Sequence, residues 1–297
     1  MATPLIEAIQ NAHIDDEVRL LTTPAFAPIF ESWEGLAIDA FPRRGWRAML
    51  EVVKFVRANR FDRIYDLQGN DRSGLICALS KANERVGNHT RYPYTHHPID
   101  EWKRNTHIFE RLKRVLASAH VEVSTEIPVL PCTTNDLQHV ETWLEKHIFG
   151  SSALVGIHAG ASANRPEKCW PHFAKFANKL LNHGFTPVWL GASSDTAQNQ
   201  IYIQASGGVD ASGAFTIPQL AYLGQHFEFA VTNDSGPMHV LAAAGKPIYG
   251  LFGPSDWRRN HALGQARYVI TNSGQSTSLS TISAEYVWQR LISEHQI

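Results

Sequence analysis

Two short apolar runs, FEFAV at 227–231 and KPIYGLF at 246–252, enclose a polar turn and a small-residue segment in FEFAVTNDSGPMHVLAAAGKPIYGLF. Aromatic and β-branched runs of this length, bounded by Asn, Asp, Gly and Pro, read as buried strands. Between them Asp234 or Ser235 can cap a helix, Pro237 suits its first turn and Gly245 stops it. Strand, helix and strand in that order make a βαβ unit, which commits this part of the chain to a parallel sheet. In such a sheet the loop at a strand's carboxyl end faces the ligand crevice, and a helix N-terminus there presents N–H groups to an anion. Asp234 in the turn and His239 in the first helical turn are placed to reach what binds there. Taken alone, the stretch fits plain α/β architecture equally well.

The same alternation extends along the chain. Strands at 18–22, 36–40 and 63–69, with helices near 2–12, 24–32, 45–59, 73–80 and 105–119, predict a first α/β domain. The polar, proline-bearing EVSTEIPVLPCTTND at 122–136 reads as the approach to a boundary. Strands at 152–160 and 186–192 and helices near 135–148, 171–183, 195–206 and 217–224 then restart the pattern. The expected division is residues 1–135, residues 136–280 and a closing helix within 281–297 that packs back toward the first domain. Two α/β domains facing each other imply a cleft, the usual place for a ligand.

Composition excludes several classes. The 297 residues, 43% hydrophobic and 19% charged, suffice for real cores, and a net charge of −1 gives no reason to expect nucleic acid. Arg43, Arg44, Arg47 and Lys54 make a local basic patch within that neutral balance. Three scattered cysteines argue against a disulfide framework and fit a reducing cytosol. The histidines form no HExxH and pair with no cysteine motif, so no metal site is read. No apolar run approaches the roughly 18 residues of a membrane span. The opening MATPLIEAIQNAHIDDE reads as an amphipathic helix rather than a signal peptide. The expectation is a cytoplasmic protein, with peripheral membrane contact left open.

Two further turns carry chemistry. In HAGASANRPEKCWP, residues 158–171, Gly160, Ala161 and Ser162 are small enough for backbone N–H groups to approach phosphate oxygens, and Lys168 offers a point charge. The Walker A spacing is absent. In DLQGNDRSG, residues 66–74, Gln68, Asn70, Asp71 and Arg72 suit sugar hydroxyls or acidic groups, and Asp71 or Ser73 can cap the helix that follows. His96 and His97 read as a solvated loop, and no GxSxG elbow is present.

TNDSGPMHVLAAAGKPIYGLFGPSD resembles the signature of glycosyltransferase family 9, the ADP-heptose:lipopolysaccharide heptosyltransferases. GASANRPEKCWP is similar to that family's phosphate-loop segment, FDRIYDLQGNDRSG to its first-domain motif, and NTHIFERL at 105–112 also fits. The resemblance covers nearly the whole chain. It implies the α/β GT-B fold, two Rossmann-like domains facing a cleft, with the acceptor in the first and a nucleotide-sugar donor in the second. It implies inverting, metal-independent transfer of heptose from ADP-heptose to a lipid-linked inner-core acceptor of lipopolysaccharide, at the inner membrane's cytoplasmic face. Asp234, Ser235, Gly236 and His239 would meet the donor's diphosphate and sugar, Ser162 and Lys168 the phosphates, and Gly191 the base or ribose. Gln68, Asp71 and Arg72 would line the acceptor side.

One part of the family pattern is missing. Members begin with an apolar strand and a Gly-Asp turn bearing the expected catalytic base, followed by a helix resembling ATPLIEAI, where this chain starts. The resemblance therefore implies a first sheet without its first, central strand. Either a start codon placed too late or a truncated product accounts for this. The base is left unassigned, with Asp71 as its substitute. A nucleotide-sugar-binding pseudoenzyme and a GT-B nucleotide-sugar epimerase stand as alternatives.

Overall fold

The computed structural model describes residues 1–99, 105–161, 165–272 and 278–295. The chain separates into two compact units, Met1–Pro131 and Cys132–Ile297.

The first unit runs α1 (Thr3–Ala12), β1 (Val18–Thr22), β2 (Leu36–Ala40), α2 (Trp46–Asn59), β3 (Arg63–Tyr65), α3 (Asp71–Ser80), β4 (Glu84–Val86) and α4 (Ile108–Ala117). The helix anticipated at 24–32 is a 3-10 segment, Ala27–Phe30. Its described strands form two separate parallel pairs, β1 with β2 and β3 with β4. These strands are mostly half-buried, whereas a parallel sheet is normally covered on both faces. Helices supply the core instead. Val52 and Val56 of α2 pack with Ile76 of α3, and Phe41 and Ile64 close the cluster. Leu5, Ile6, Ala8 and Ile9 line the buried side of α1.

The second unit runs α5 (Thr134–His147), β5 (Ala153–His158), α6 (Phe173–Asn182), β6 (Phe185–Gly191), α7 (Thr196–Ser206), β7 (Val209–Ser212), α8 (Ile217–Leu223), β8 (Phe227–Asn233), α9 (Gly236–Leu241), β9 (Ile248–Phe252), α10 (Trp257–Asn260), β10 (Val269–Thr271) and α11 (Ala284–His295). Its six parallel strands lie in the order β10-β9-β8-β5-β6-β7. The strands read as unbroken apolar runs because both faces are covered. Val155, Ile157, Trp189, Phe229, Val231, Tyr249 and Leu251 face one core. Their neighbours Leu154, Val188, Leu190, Ala230, Ile248 and Phe252 face the other, the period-two alternation of a strand. The closing helix α11 places Val287, Trp288 and Leu291 in the first of these two cores. Each such large side chain taken out of water contributes roughly 1.5–3 kcal/mol before entropy is counted.

The strand order is what positions a site. From β5 the sheet grows one way through β6 and β7, and the other way through β8, β9 and β10. The order reverses between β5 and β8, and in open parallel sheets the ligand crevice lies outside the carboxyl ends at that switch. His158 and Thr232 are register partners there.

Candidate functional site

Asn233 ends β8 at the switch and is fully buried. Its Nδ2 donates to the Ala159 carbonyl at 2.7 Å and to the Gly160 carbonyl at 3.3 Å, while its Oδ1 accepts from the Trp170 amide at 3.1 Å. One amide side chain thus ties the turn after β5 to the segment that carries Lys168. Trp170, itself buried, is held from its other end by Nε1 donating to the Ile282 carbonyl at 2.7 Å.

Lys168 ends a short 3-10 turn, Pro166–Lys168, and its Nζ lies 2.6 Å from Oδ2 of buried Asp234. Sixty-six positions separate the partners in sequence. The pair fixes an ammonium beside the β8 turn and leaves it half-buried, where a phosphate would feel its charge more strongly than in bulk water. Ser162 lies outside the described residues.

Ser235 occupies the N-cap position of α9, yet its hydroxyl makes no capping bond. Its Oγ lies 3.0 Å from Nδ1 of His158 and 3.2 Å from the Asn233 carbonyl. A carbonyl only accepts, so both contacts are satisfied at once when the hydroxyl donates to Asn233 and Nδ1 of His158 carries the proton. His158 is 4% exposed. Burial pushes its imidazole down to about 4, opposed by the charge of Asp195, so the ring is neutral near pH 7. Gly236 and Pro237 follow as the first residues of α9, and His239 lies half-buried at the helix's fourth position.

Gly191 ends β6 beside this group. A Cβ there would stand 2.7 Å from both Cβ and Oδ2 of Asp195, so only glycine lets the turn close. Asp195 in turn accepts from the Ala192 amide at 2.8 Å. Lys168, Asp234, Ser235 and Gly236 therefore gather at the carboxyl ends of the central strands, with Gly191 on the neighbouring strand end.

The first unit carries the other set. Asp66, buried at the end of β3, accepts at Oδ1 from the Gln68 amide at 2.9 Å and the Gly69 amide at 2.8 Å. Its Oδ2 accepts from the Tyr94 hydroxyl at 2.5 Å. Burial, then the Asp66 carboxylate, pushes the Tyr94 phenol up. This carboxylate turns the chain after Tyr65, which is why β3 stops short of the expected residue 69. The cap of α3 is Asn70, not Asp71 or Ser73: Oδ1 of Asn70 accepts from the Ser73 amide at 3.0 Å and Oγ of Ser73 accepts from the Asn70 amide at 3.0 Å. Asp71 is thereby left exposed at the head of α3. The Gln68 side chain accepts from Nδ2 of Asn70 at 3.2 Å, and Nη2 of Arg72 donates to the Pro42 carbonyl at 3.1 Å. Gln68 and Asp71 thus share one turn, while Arg72 is tethered to the loop before α2.

Sequence reading missed His158, Asn233, Asp66 and Tyr94. A polar residue closing an apolar strand before a turn of small residues was the available signal for the first three, in GIHAG, AVTND and IYDLQG.

Comparison with known proteins now bears on this arrangement. The family model described as "Glycosyltransferase family 9 (heptosyltransferase)" matches residues 49–286. The chain belongs to that family. Lipopolysaccharide heptosyltransferase 2 of Salmonella typhimurium is 36% identical over 110 residues, 34% of this chain and 31% of that protein. The matches to the first three curated relatives span only 31% to 46% of their own lengths. A family 9 glycosyl transferase structure from Veillonella parvula superposes with a TM-score of 0.83 at 22% identity, covering 98% of this chain and 92% of that one. The Escherichia coli heptosyltransferase WaaC, solved with ADP, gives 0.72 at 18% identity over 99% and 94% of the two chains. These likenesses are of fold, and it is the GT-B class expected from the sequence.

Proposed function

We propose that the protein is an inverting glycosyltransferase that moves a heptose from ADP-heptose to a lipopolysaccharide inner-core acceptor, without a metal. The observation that carries this reading is the Lys168–Asp234 pair, set beside Ser235 at the switch point of the second unit's parallel sheet. Family membership and the ADP held by the WaaC structure support the choice of donor.

In the transfer, the bond between the anomeric carbon and the diphosphate oxygen breaks while the acceptor oxygen bonds to the opposite face of that carbon. Negative charge grows on the departing diphosphate, and preorganised cations and N–H donors stabilise it. Lys168 supplies the cation, held in place by Asp234 before the donor arrives. The Ser235 hydroxyl, the first amides of α9 and His239 serve the diphosphate and sugar, Ser162 a phosphate, and Gly191 leaves room for the nucleoside. The acceptor hydroxyl gives up its proton to a general base. Exposed Asp71 fills that role, and Gln68 and Arg72 bind the acceptor beside it. The reaction is placed in the cytoplasm, with peripheral contact at the inner membrane. Among the described residues no helix is long and apolar enough to cross a membrane.

The test is incubation with ADP-heptose and a heptose-deficient core acceptor in the presence of a chelator, following ADP release and the mass of the acceptor. One heptose added per ADP released supports the reading. Conversion of donor without acceptor indicates an epimerase, and tight ADP binding with neither reaction indicates a pseudoenzyme; either outcome overturns it.

A further inference from the structure

We infer that His158 is a positioning residue for the departing diphosphate: its Nδ1–H holds Oγ of Ser235 so that the hydroxyl hydrogen turns from the Asn233 carbonyl to a phosphate oxygen. The inference deepens the proposed function and rests on it for the identity of the leaving group.

Ser235 stands where a helix is usually capped, yet it does not cap. An N-cap serine normally accepts from the amide of the second or third helical residue. The second residue of α9 is Pro237, which has no amide hydrogen, and Ser235 makes no bond to the third, Met238. The helix therefore does not account for the direction of this side chain. Its Oγ is turned instead to Nδ1 of His158 at 3.0 Å and to the Asn233 carbonyl at 3.2 Å. The contact to the carbonyl is longer than the usual O–H···O range, which ends near about 3.0 Å, and its acceptor is neutral. A phosphate oxygen is ionised and binds such a hydrogen roughly twice as strongly. Rotation about the Cβ–Oγ bond alone transfers the hydrogen to it, and no heavy atom has to move.

The tautomer of His158 decides whether that rotation is productive. With its proton on Nδ1 the ring donates to Oγ, anchoring the oxygen and leaving the hydrogen for the phosphate. With its proton on Nε2 the ring would take the hydrogen itself, and the phosphate would face a lone pair. The surroundings favour the first form. Burial keeps the ring neutral, with a single N–H. Among the described residues the hydrogen bond of this ring is made at Nδ1, and Nε2 makes none. Asp195 is nearby, since a Cβ on Gly160 would stand 3.2 Å from both its Oδ1 and Nε2 of His158, but its Oδ2 is engaged by the Ala192 amide of its own loop. The anchor is also rigid, because His158 is a register partner of Leu190 on one side and Thr232 on the other. Two pairs thus divide the phosphate site: Lys168, held by Asp234, supplies charge, and Ser235, held by His158, supplies direction.

The experiment compares H158L, H158N, S235A and H158L/S235A in the full chain by calorimetric binding of ADP and of adenosine, and by transfer kinetics. Asparagine carries an N–H where Nδ1 stands, and leucine carries none. H158L and S235A should each weaken ADP at least about tenfold, the loss of one hydrogen bond to a charged acceptor, and leave adenosine unchanged. The double variant should bind ADP no more weakly than S235A, since His158 acts through that hydroxyl. H158N should recover most of the affinity. In transfer, kcat should fall in the same order while KM for the acceptor holds. Nitrogen-15 spectra of the wild type should show His158 protonated at Nδ1 with and without ADP. Wild-type ADP affinity in H158L, losses that multiply in the double variant, or an Nε2-protonated ring in the ADP complex overturns the inference. So does a lowered thermal midpoint in H158L with ADP and adenosine weakened alike, the mark of a purely structural histidine. Transfer separates the two readings. The expected ADP pattern without transfer by any chain refutes the proposed function and leaves the role of His158 standing, and undiminished transfer by H158L does the reverse. A wild type that does not bind ADP overturns both.

Discussion

Replacing Asn233 with alanine removes a side chain that joins the β5 turn to the Lys168 segment. The Trp170 amide, on a fully buried residue, loses its 3.1 Å acceptor, and an unsatisfied buried donor costs about 1–3 kcal/mol. The Ala159 carbonyl loses its 2.7 Å donor, a further loss of about 1 kcal/mol. Together these give an expected destabilisation of about 2–4 kcal/mol, read by urea denaturation. Asn233→Asp makes a sharper version. Its carboxylate still accepts from Trp170 but turns an acceptor toward two carbonyls, and only the protonated acid donates to them. The deficit of Asn233→Asp relative to wild type should therefore narrow as pH falls. A loss below about 1 kcal/mol in Asn233→Ala, or a deficit in Asn233→Asp that ignores pH, would refute the claim that this amide holds the loop.

Three further outcomes are expected. His158 has its folded-state value lowered from 6.5 to about 4, so its contribution is whole above pH 6.5 and is lost as pH falls toward 4. That gap is worth about 3 kcal/mol, and His158→Gln should lose about that much less stability than wild type between pH 7 and 4 in denaturation series. Lys168→Met leaves the buried Asp234 carboxylate without its cation, which should cost about 1–3 kcal/mol and weaken ADP binding by calorimetry. Adding Asp234→Asn should restore part of the stability and none of the affinity. Tyr94→Phe removes a donor from Asp66 and should raise KM for the acceptor while KM for the donor stays unchanged.

Much of the fold was legible in the residues because strands covered on both faces must be apolar throughout. The second unit follows that rule: the runs around Val155, Val188, Phe229 and Tyr249 announce themselves, and their ends fall within a few residues of expectation. The first unit obeys it less. Its half-buried strands carry Arg19, Asp39 and Arg63, and β3 ends where a single carboxylate, Asp66, captures two amides. Which residue caps α3 turns on the backbone angles of one position, and local composition offered Asp71 and Ser73 as readily as Asn70. The candidate residues were legible as polar turns at strand ends, one in the first unit and two in the second, but the contacts that join the second unit's two turns were not. Ser235 meets His158 across 77 positions and Asn233 meets Trp170 across 63. Only strand order brings such partners together, and strand order is not written in any short stretch.

The split pairing of the first unit sets up two clocks within one molecule. In the second unit, β5 is bonded along both edges by β6 and β8, and β8 by β5 and β9. Among the described residues, β1 is bonded only by β2 and β3 only by β4. A ribbon of two strands opens without disturbing a wider lattice, so its amides meet deuterium through local openings, while those of β5 and β8 wait for the whole sheet. The scaffold behind Asn233 and Lys168 is thus the slow one. The turn that carries Gln68 and Asp71 hangs from a fast one, and it can adjust to a bulky partner at little energetic cost.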